Sequence, residues 1–319
     1  MIDAGLAVWA HSVYQFGDAD EIARHADRLA QGGFDILIPS VKNPPGSVDF
    51  FTDVGNVNEK YPDWDPLRVI IDECNARGVK VHPWFCIFPE GEESRLLNEH
   101  PECEAQFESR FPWACACNPT VQDYLFELYR DLAQRYKPAG LHLDYIRTGG
   151  NCTCDYCQIA MQKRDVDITE IEYRDPDFQK WVEFRISNIT GLVERVHDYT
   201  RDHDLELSAA VFADYPRCSE SQGQDWVDWT RQGLVDYIFP MNYTNSLRMA
   251  EARAVCHKTL VGNQVPLWEG LGKASSCSAL STADLELQVD KCLDAGANGI
   301  VLFSYPAVTD EDIQMLNSV

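Results

Sequence analysis

The chain alternates two hydrophobic rhythms. Short runs rich in aliphatic and aromatic residues, of the kind that form buried strands, occupy 5–11, 34–41, 79–88, 139–147, 205–214, 235–243, 259–270 and 298–306. Between them lie stretches with apolar residues at helical spacing, at 21–33, 65–78, 118–136, 177–203, 225–233, 249–258, 283–296 and 309–318. Punctuation agrees with this reading. Gly32-Gly33 closes the first helix, Asp65-Pro66 opens the second, Gly78 closes it, and Pro119 stands near the start of the third. Strands that each lead into a helix imply right-handed βαβ crossovers and a parallel sheet. Eight such units in 319 residues predict a closed (β/α)8 TIM barrel. No composition break or linker interrupts the pattern, so residues 1–319 read as one domain.

Three segments fall outside both rhythms. They are 42–64, 89–117 and the stretch after residue 147, each following a predicted strand C-terminus at strands two, three and four. In a barrel those ends share one face, so the three loops shape a common cleft there. The composition adds exclusions. With 45% hydrophobic residues there is ample core material, and a net charge of −24 disfavours nucleic acid and anionic membranes as partners. No apolar run approaches the roughly 20 residues of a transmembrane helix. The first ten residues lack the basic region of a signal peptide, and the twelve cysteines are spread through a core-rich chain, which together predict a cytoplasmic protein. Neither G-x-G-x-x-G after the first strand, nor a P-loop, nor G-x-S-x-G occurs, which argues against dinucleotide, phosphate-loop and serine-hydrolase chemistry.

The segment LHLDYIRTGGNCTCDYC, residues 141–157, holds the strongest chemical signals. Strand alternation puts His142 and Asp144 on one face and Leu141 and Leu143 on the other. The leucines suit the helical layer, so Asp144 points into the barrel near its top, where barrel enzymes carry their chemistry. A carboxylate there needs a partner if the reaction is glycosidic cleavage, in which two carboxyl groups flank the bond. Asp214, ending the AAVFAD run, is the first choice as acid/base; Glu269 in PLWEG, ending the seventh predicted strand, is the second. Trp9, Trp84, Tyr243 and Trp268 stand at strand ends with faces suited to sugar rings, and His11, His82, His142, Arg147 and Asn242 could bind hydroxyls.

Cys152, Cys154 and Cys157 have C-x-C-x-x-C spacing, and Cys115 and Cys117 precede the helix that leads into the same strand. Four thiolates form a closed tetrahedral zinc site, which would be structural and would staple loop three to loop four; disulfides or free thiols are the alternatives.

The segments GLHLDYIR, SAAVFADYP, QDWVDWTRQGLVDYIFPMNYT and AGANGIVLFSYP resemble the bacterial family-10-like glycosyl hydrolases. The resemblance runs from about the third strand to the C-terminus. It implies a (β/α)8 barrel acting on carbohydrate, with Asp144 as the matching catalytic carboxylate. The cysteine loop separately resembles that of family 42 β-galactosidases, which implies zinc held by Cys152, Cys154, Cys157 and an upstream cysteine. Cys115 in CACNP fits that offset best, with Cys117 as the alternative. The chain departs from that family where it matters for catalysis, having Asp144-Tyr145 in place of Asn-Glu.

The expected function is therefore hydrolysis of O-glycosidic bonds in an oligo- or polysaccharide. Asp144 would serve as nucleophile or electrostatic partner, Asp214 as acid/base, and zinc as a structural cofactor. Two other readings remain open: a sugar-binding barrel without catalysis, and a metal-dependent hydrolase using His82 or His142. The absence of H-x-H and H-E-x-x-H patterns weighs against the last.

Overall fold

The computed structural model describes residues 4–318. Strands β1 (Gly5–Ala10), β2 (Ile36–Lys42), β3 (Lys80–Val81), β4 (Trp84–Cys86), β5 (Gly140–Asp144), β6 (Glu206–Phe212), β7 (Tyr237–Met241), β8 (Trp268–Gly272) and β9 (Gly299–Phe303) form one parallel sheet. Pairing of β1 with both β9 and β2 closes it. β3 and β4 both pair with β2 and are two halves of one stave, so nine segments make an eight-stave barrel. The break falls at His82-Pro83, where proline has no N–H to give the ladder; the register is the same on both sides of it and shifts only further on, between Ser40 and Lys42 of β2.

Helices α1 (Ala19–Gln31), α2 (Pro66–Ala76), α4 (Pro119–Tyr136), α6 (Phe178–Asp202), α8 (Trp226–Gln232), α9 (Leu247–Val261), α10 (Thr282–Asp294) and α11 (Asp310–Leu316) follow the eight staves. Three short helices sit in loops where no helix was predicted: α3 (Arg95–Glu99), α5 (Asp155–Gln162) and α7 (Arg217–Gln222). Polar caps set several starts. Asp18 and Glu21 form a reciprocal capping box at α1, and Asn118 caps α4 ahead of Pro119. No described helix is long and apolar enough to cross a membrane.

Alternation along each strand splits the core in two. Ala7, Trp9, Ile38, Trp84, Cys86, Phe239, Trp268 and Val301 pack inside the barrel. Their neighbours Val8, Leu37, Leu141, Leu143, Leu207, Ile300 and Leu302 face the helices. The inward placement of His142 and Asp144 follows, since they pair with Trp84 and Cys86.

One predicted strand is misplaced. Residues 259–261 carry strand-favouring Thr-Leu-Val, yet α9 runs through them to Val261. The reason is tertiary: Ala250, Ala254, His257 and Val261 recur at helical spacing and are all buried on one face of α9. β8 begins only at Trp268, so Trp268 and Glu269 start the strand rather than end it.

Candidate active site

A cleft of about 470 Å³ opens at the C-terminal ends of the strands. Trp9, Trp84, Tyr145, Tyr243 and Phe303 give it aromatic walls; His11, Asn43, Arg147, Arg253, Ser275 and Ser276 give it polar ones. Asp144 and Asp214 are the two carboxylates lining it.

Asp144 ends β5 and is 5% exposed. The chain turns sharply after it: Tyr145 adopts a left-handed φ of 53°, an unusual backbone for a non-glycine residue that aims its own N–H back at Asp144. That N–H donates to Asp144 Oδ1 at 2.6 Å. Arg147 Nη1 stands 3.7 Å from the same oxygen, an ion-pair separation longer than a hydrogen bond. The guanidinium is held over the rings of Tyr145 and Phe212, at 4.1 and 4.3 Å from their centroids. Burial pushes the Asp144 carboxyl above its ordinary range, and Arg147 and the Tyr145 N–H only partly oppose it.

Asp214, just beyond β6, has the opposite setting. Its side chain is 59% exposed, and Oδ1 accepts from Arg253 Nη2 at 3.1 Å. Two buried donors on the cleft wall, Trp84 Nε1 and Arg147 Nη1, have no hydrogen-bond partner in the protein. His11 stands exposed at the rim of the cleft, and partial burial against the wall lowers its imidazole pKa.

The remaining predicted site residues lie elsewhere. His142 and His82 fill the barrel beneath the cleft. Trp9 Nε1 donates to His142 Nε2 at 3.0 Å, and His142 Nδ1 meets Ser208 Oγ at 2.8 Å. An indole N–H can only donate, so His142 Nε2 carries no proton and the ring is neutral. His82 spans Ser208 Oγ and Glu206 Oε2 at 3.0 and 3.1 Å. Both rings are buried with both nitrogens engaged, which leaves neither free for a sugar or a metal. Trp268 plugs the opposite end of the barrel, stacked on Phe239 with centroids 5.7 Å apart, and a Cβ on Gly5 or Gly299 would collide with its ring.

Glu269 and Asn242 are absent from the cleft because of strand phase. Trp268 points inward, so Glu269 points outward, fully buried against α9. Its Oε1 lies 2.8 Å from His257 Nδ1, and its Oε2 accepts from Asn242 Nδ2 at 3.0 Å.

Sequence reading missed Arg253, Asn43 and the Ser275–Ser276 turn as cleft residues. Asn43 directly follows β2 and the serines follow β8, so strand-end position could have flagged them. Arg253 reaches in from α9, and no strand-based signal announces it.

Beside the cleft, the Sγ atoms of Cys115, Cys152, Cys154 and Cys157 lie within 4.8 Å of one another, all buried. These are the four cysteines singled out from spacing and resemblance. Cys115 stands 3.5 Å from Cys157 and 3.9 Å from Cys152. Ligands about 2.3 Å from a tetrahedral centre would stand about 3.8 Å apart, so the cluster has the dimensions of a metal site. Sulfur contacts, first with Cys117 and then with the other three, push the Cys115 thiol down, while contact with Cys115 pushes the Cys152 and Cys157 thiols up, so the sulfurs are close enough to compete for protons. The backbone N–H of Gln106 donates to Cys152 Sγ at 3.3 Å. All twelve cysteines are free thiols, so the disulfide alternative is not adopted.

Barrel, cleft and aromatic lining together describe a carbohydrate-active (β/α)8 protein. Residues 7–278 match the model of the family described as glycosyl hydrolase-like 10, and the chain belongs to that family. Glycosyl hydrolase DigH of Escherichia coli K12 is 24% identical over 223 residues, which cover 59% of this chain and 48% of that protein. The chain thus spans about half the length of the curated relatives it matches. Among solved structures, the PgaB (BpsB) glycoside hydrolase domain from Bordetella bronchiseptica superposes with a TM-score of 0.77 at 16% identity, over 98% of this chain and 95% of that one. The catalytic domain of β-amylase from Paenibacillus polymyxa does so with a TM-score of 0.66 at 10% identity, over 98% and 94%. At such identities the likeness is one of fold.

Proposed function

We propose that the protein is a glycoside hydrolase that cleaves O-glycosidic bonds of an oligo- or polysaccharide with Asp144 and Asp214. The observation that carries this is electrostatic. The two carboxylates that line the cleft among the described residues stand in opposite environments, one buried with its pKa raised, the other exposed beside an arginine. Such a divided pair is what acid-plus-carboxylate catalysis of glycosidic cleavage requires.

The environments favour an assignment of roles opposite to the one expected from sequence. Asp144, whose carboxyl pKa burial pushes up, is suited to donate a proton to the leaving oxygen. Asp214, exposed and paired with Arg253, is suited to act as the charged partner, either as nucleophile or as base toward water. Trp84, Tyr145 and Tyr243 offer ring surface to the sugar, with Trp9 buried beneath them. Trp84 Nε1 and Arg147 Nη1, turned toward the Asp144 carboxyl without a close hydrogen bond, are donors that sugar hydroxyls would satisfy. Zinc held by Cys115, Cys152, Cys154 and Cys157 would be structural, since four sulfur ligands leave no open position; it would fasten the segment before α4 to the loop after β5. Free thiols throughout suit a reducing compartment such as the cytoplasm.

The test begins with a screen of the purified protein against polysaccharides and aryl glycosides. On the substrate that emerges, Asp144→Asn should lose turnover of unactivated glycosides but retain it on aryl glycosides with a good leaving group, which need no acid. Asp214→Asn should lose both. An Asp144→Asn enzyme of normal activity on unactivated substrate overturns the assignment. Sugar binding without turnover in the unaltered protein would support the non-catalytic reading instead.

A further inference from the structure

His257 sits on α9, fully buried between the barrel and the helical layer. Both of its ring nitrogens are engaged. Nδ1 lies 2.8 Å from Glu269 Oε1, and Nε2 lies 2.8 Å from the backbone carbonyl oxygen of Ala213. A carbonyl can only accept, so Nε2 must bear a proton. Asn242 Nδ2 donates to the other oxygen of Glu269, which favours the ionised carboxylate, and a carboxylate can only accept, so Nδ1 bears one as well. The geometry is that of an imidazolium held between an anion and a carbonyl dipole.

The placement of that carbonyl gives the pair a second meaning. Ala213 immediately precedes Asp214. One turn back along α9, Arg253 Nη2 bonds Asp214 Oδ1 at 3.1 Å. The same helix therefore grips the segment after β6 at two adjacent points, the backbone before the carboxylate and the carboxylate itself. We propose that His257, charged by its buried partner Glu269, acts with Arg253 as a two-point clamp that positions Asp214 in the cleft. The proposal rests on Asp214 being the second carboxylate of the reaction. It makes His257 and Glu269 positioning residues, with neither touching substrate.

The surroundings are consistent with a charged ring. Glu269 of β8 faces it, and Asn242 after β7 secures the far oxygen of that carboxylate at 3.0 Å. Arg253, on the same helix, is the cation whose charge opposes that of the ring. From α8 the Trp226 ring meets the imidazole edge-on, centroids 5.8 Å apart, and from α10 the Cys292 thiol faces Glu269. Burial alone favours a neutral ring. The Glu269 charge and hydrogen bond, with the Ala213 carbonyl, outweigh it and raise His257 above its ordinary range.

Two readouts on the full chain test this. Histidine ring 15N spectra across about pH 6 to 9 should show one ring, identified by its loss in His257→Asn, that keeps protons on both nitrogens where ordinary histidines have lost one. Glu269→Gln should return that ring to a neutral tautomer. On the substrate found by the screen, Glu269→Gln should lower kcat about tenfold at neutral pH with KM little changed, the effect of losing a charged hydrogen bond. It should also move the alkaline limb of the rate profile to lower pH. A neutral His257 in the unaltered protein at neutral pH overturns the proposal. So does a Glu269→Gln variant whose melting temperature falls while its kcat and pH profile stay put, since that is a purely structural pair. Full turnover in Asp214→Asn would instead overturn the catalytic reading while leaving the ring charged, so the two failures are distinguishable.

Discussion

Asp144 and Glu269 are acidic residues on barrel strands, 5% and 0% exposed, and they sit on opposite faces of the same wall. Asp144 ends its strand and points inward, so its burial is that of a cleft floor and its one cationic neighbour stands off at 3.7 Å. Glu269 is the second residue of its strand and points outward, matched by His257 at 2.8 Å and Asn242 at 3.0 Å. A carboxyl group left incompletely compensated is available to exchange a proton. One that is fully compensated is fixed and can serve to hold other parts in place. Burial alone does not separate the two cases; strand phase and the partner list do.

The largest effect that could break this comparison is on turnover. Asp144→Asn should reduce kcat on unactivated glycosides by about a thousandfold while thermal unfolding and circular dichroism stay unchanged. The cysteine cluster comes next. The purified protein should contain one zinc per chain by elemental analysis, and Cys154→Ser should weaken metal affinity by about a hundredfold or more and raise hydrogen exchange across 148–162. A smaller effect is expected in stability: Glu269→Ala leaves His257 buried without its anion and should cost about 3–5 kcal/mol in denaturant titration.

Two gentler changes would sharpen the contrast. Removing the Arg147 charge, as in Arg147→Met, frees the Asp144 carboxyl to bind its proton more tightly. If Asp144 is the acid, the alkaline limb of the rate profile should move to higher pH, opposite in direction to the shift expected of Glu269→Gln. The pH dependence of folding follows from His257, whose folded pKa is raised. The charged ring therefore stabilises the fold fully below the unfolded value of about 6.5 and ceases to do so as pH rises through the folded pKa. Denaturant midpoints should fall on the alkaline side, and less so in Glu269→Gln.

The sequence by itself determined the barrel, because alternating strand and helix periodicities admit few topologies once crossovers must be right-handed. It also determined that Asp144 faces inward at a strand end, since Leu141 and Leu143 fix the phase of β5. Cysteine spacing, with the family resemblance, selected the four sulfurs that converge. Tertiary structure alone decided the rest. Whether Thr259-Leu260-Val261 is strand or helix depends on the surface that α9 packs against, and that choice moved Trp268 to the barrel floor and Glu269 to its outer face. His82 and His142 read like ligands in one dimension, but in three their nitrogens are consumed by Trp9, Ser208 and Glu206. The approach of Arg253 and His257 to the two ends of one peptide segment joins residues 39 and 44 positions apart. Local pattern encodes which face a residue takes on its own element; the groups that meet that face are chosen only when the elements pack.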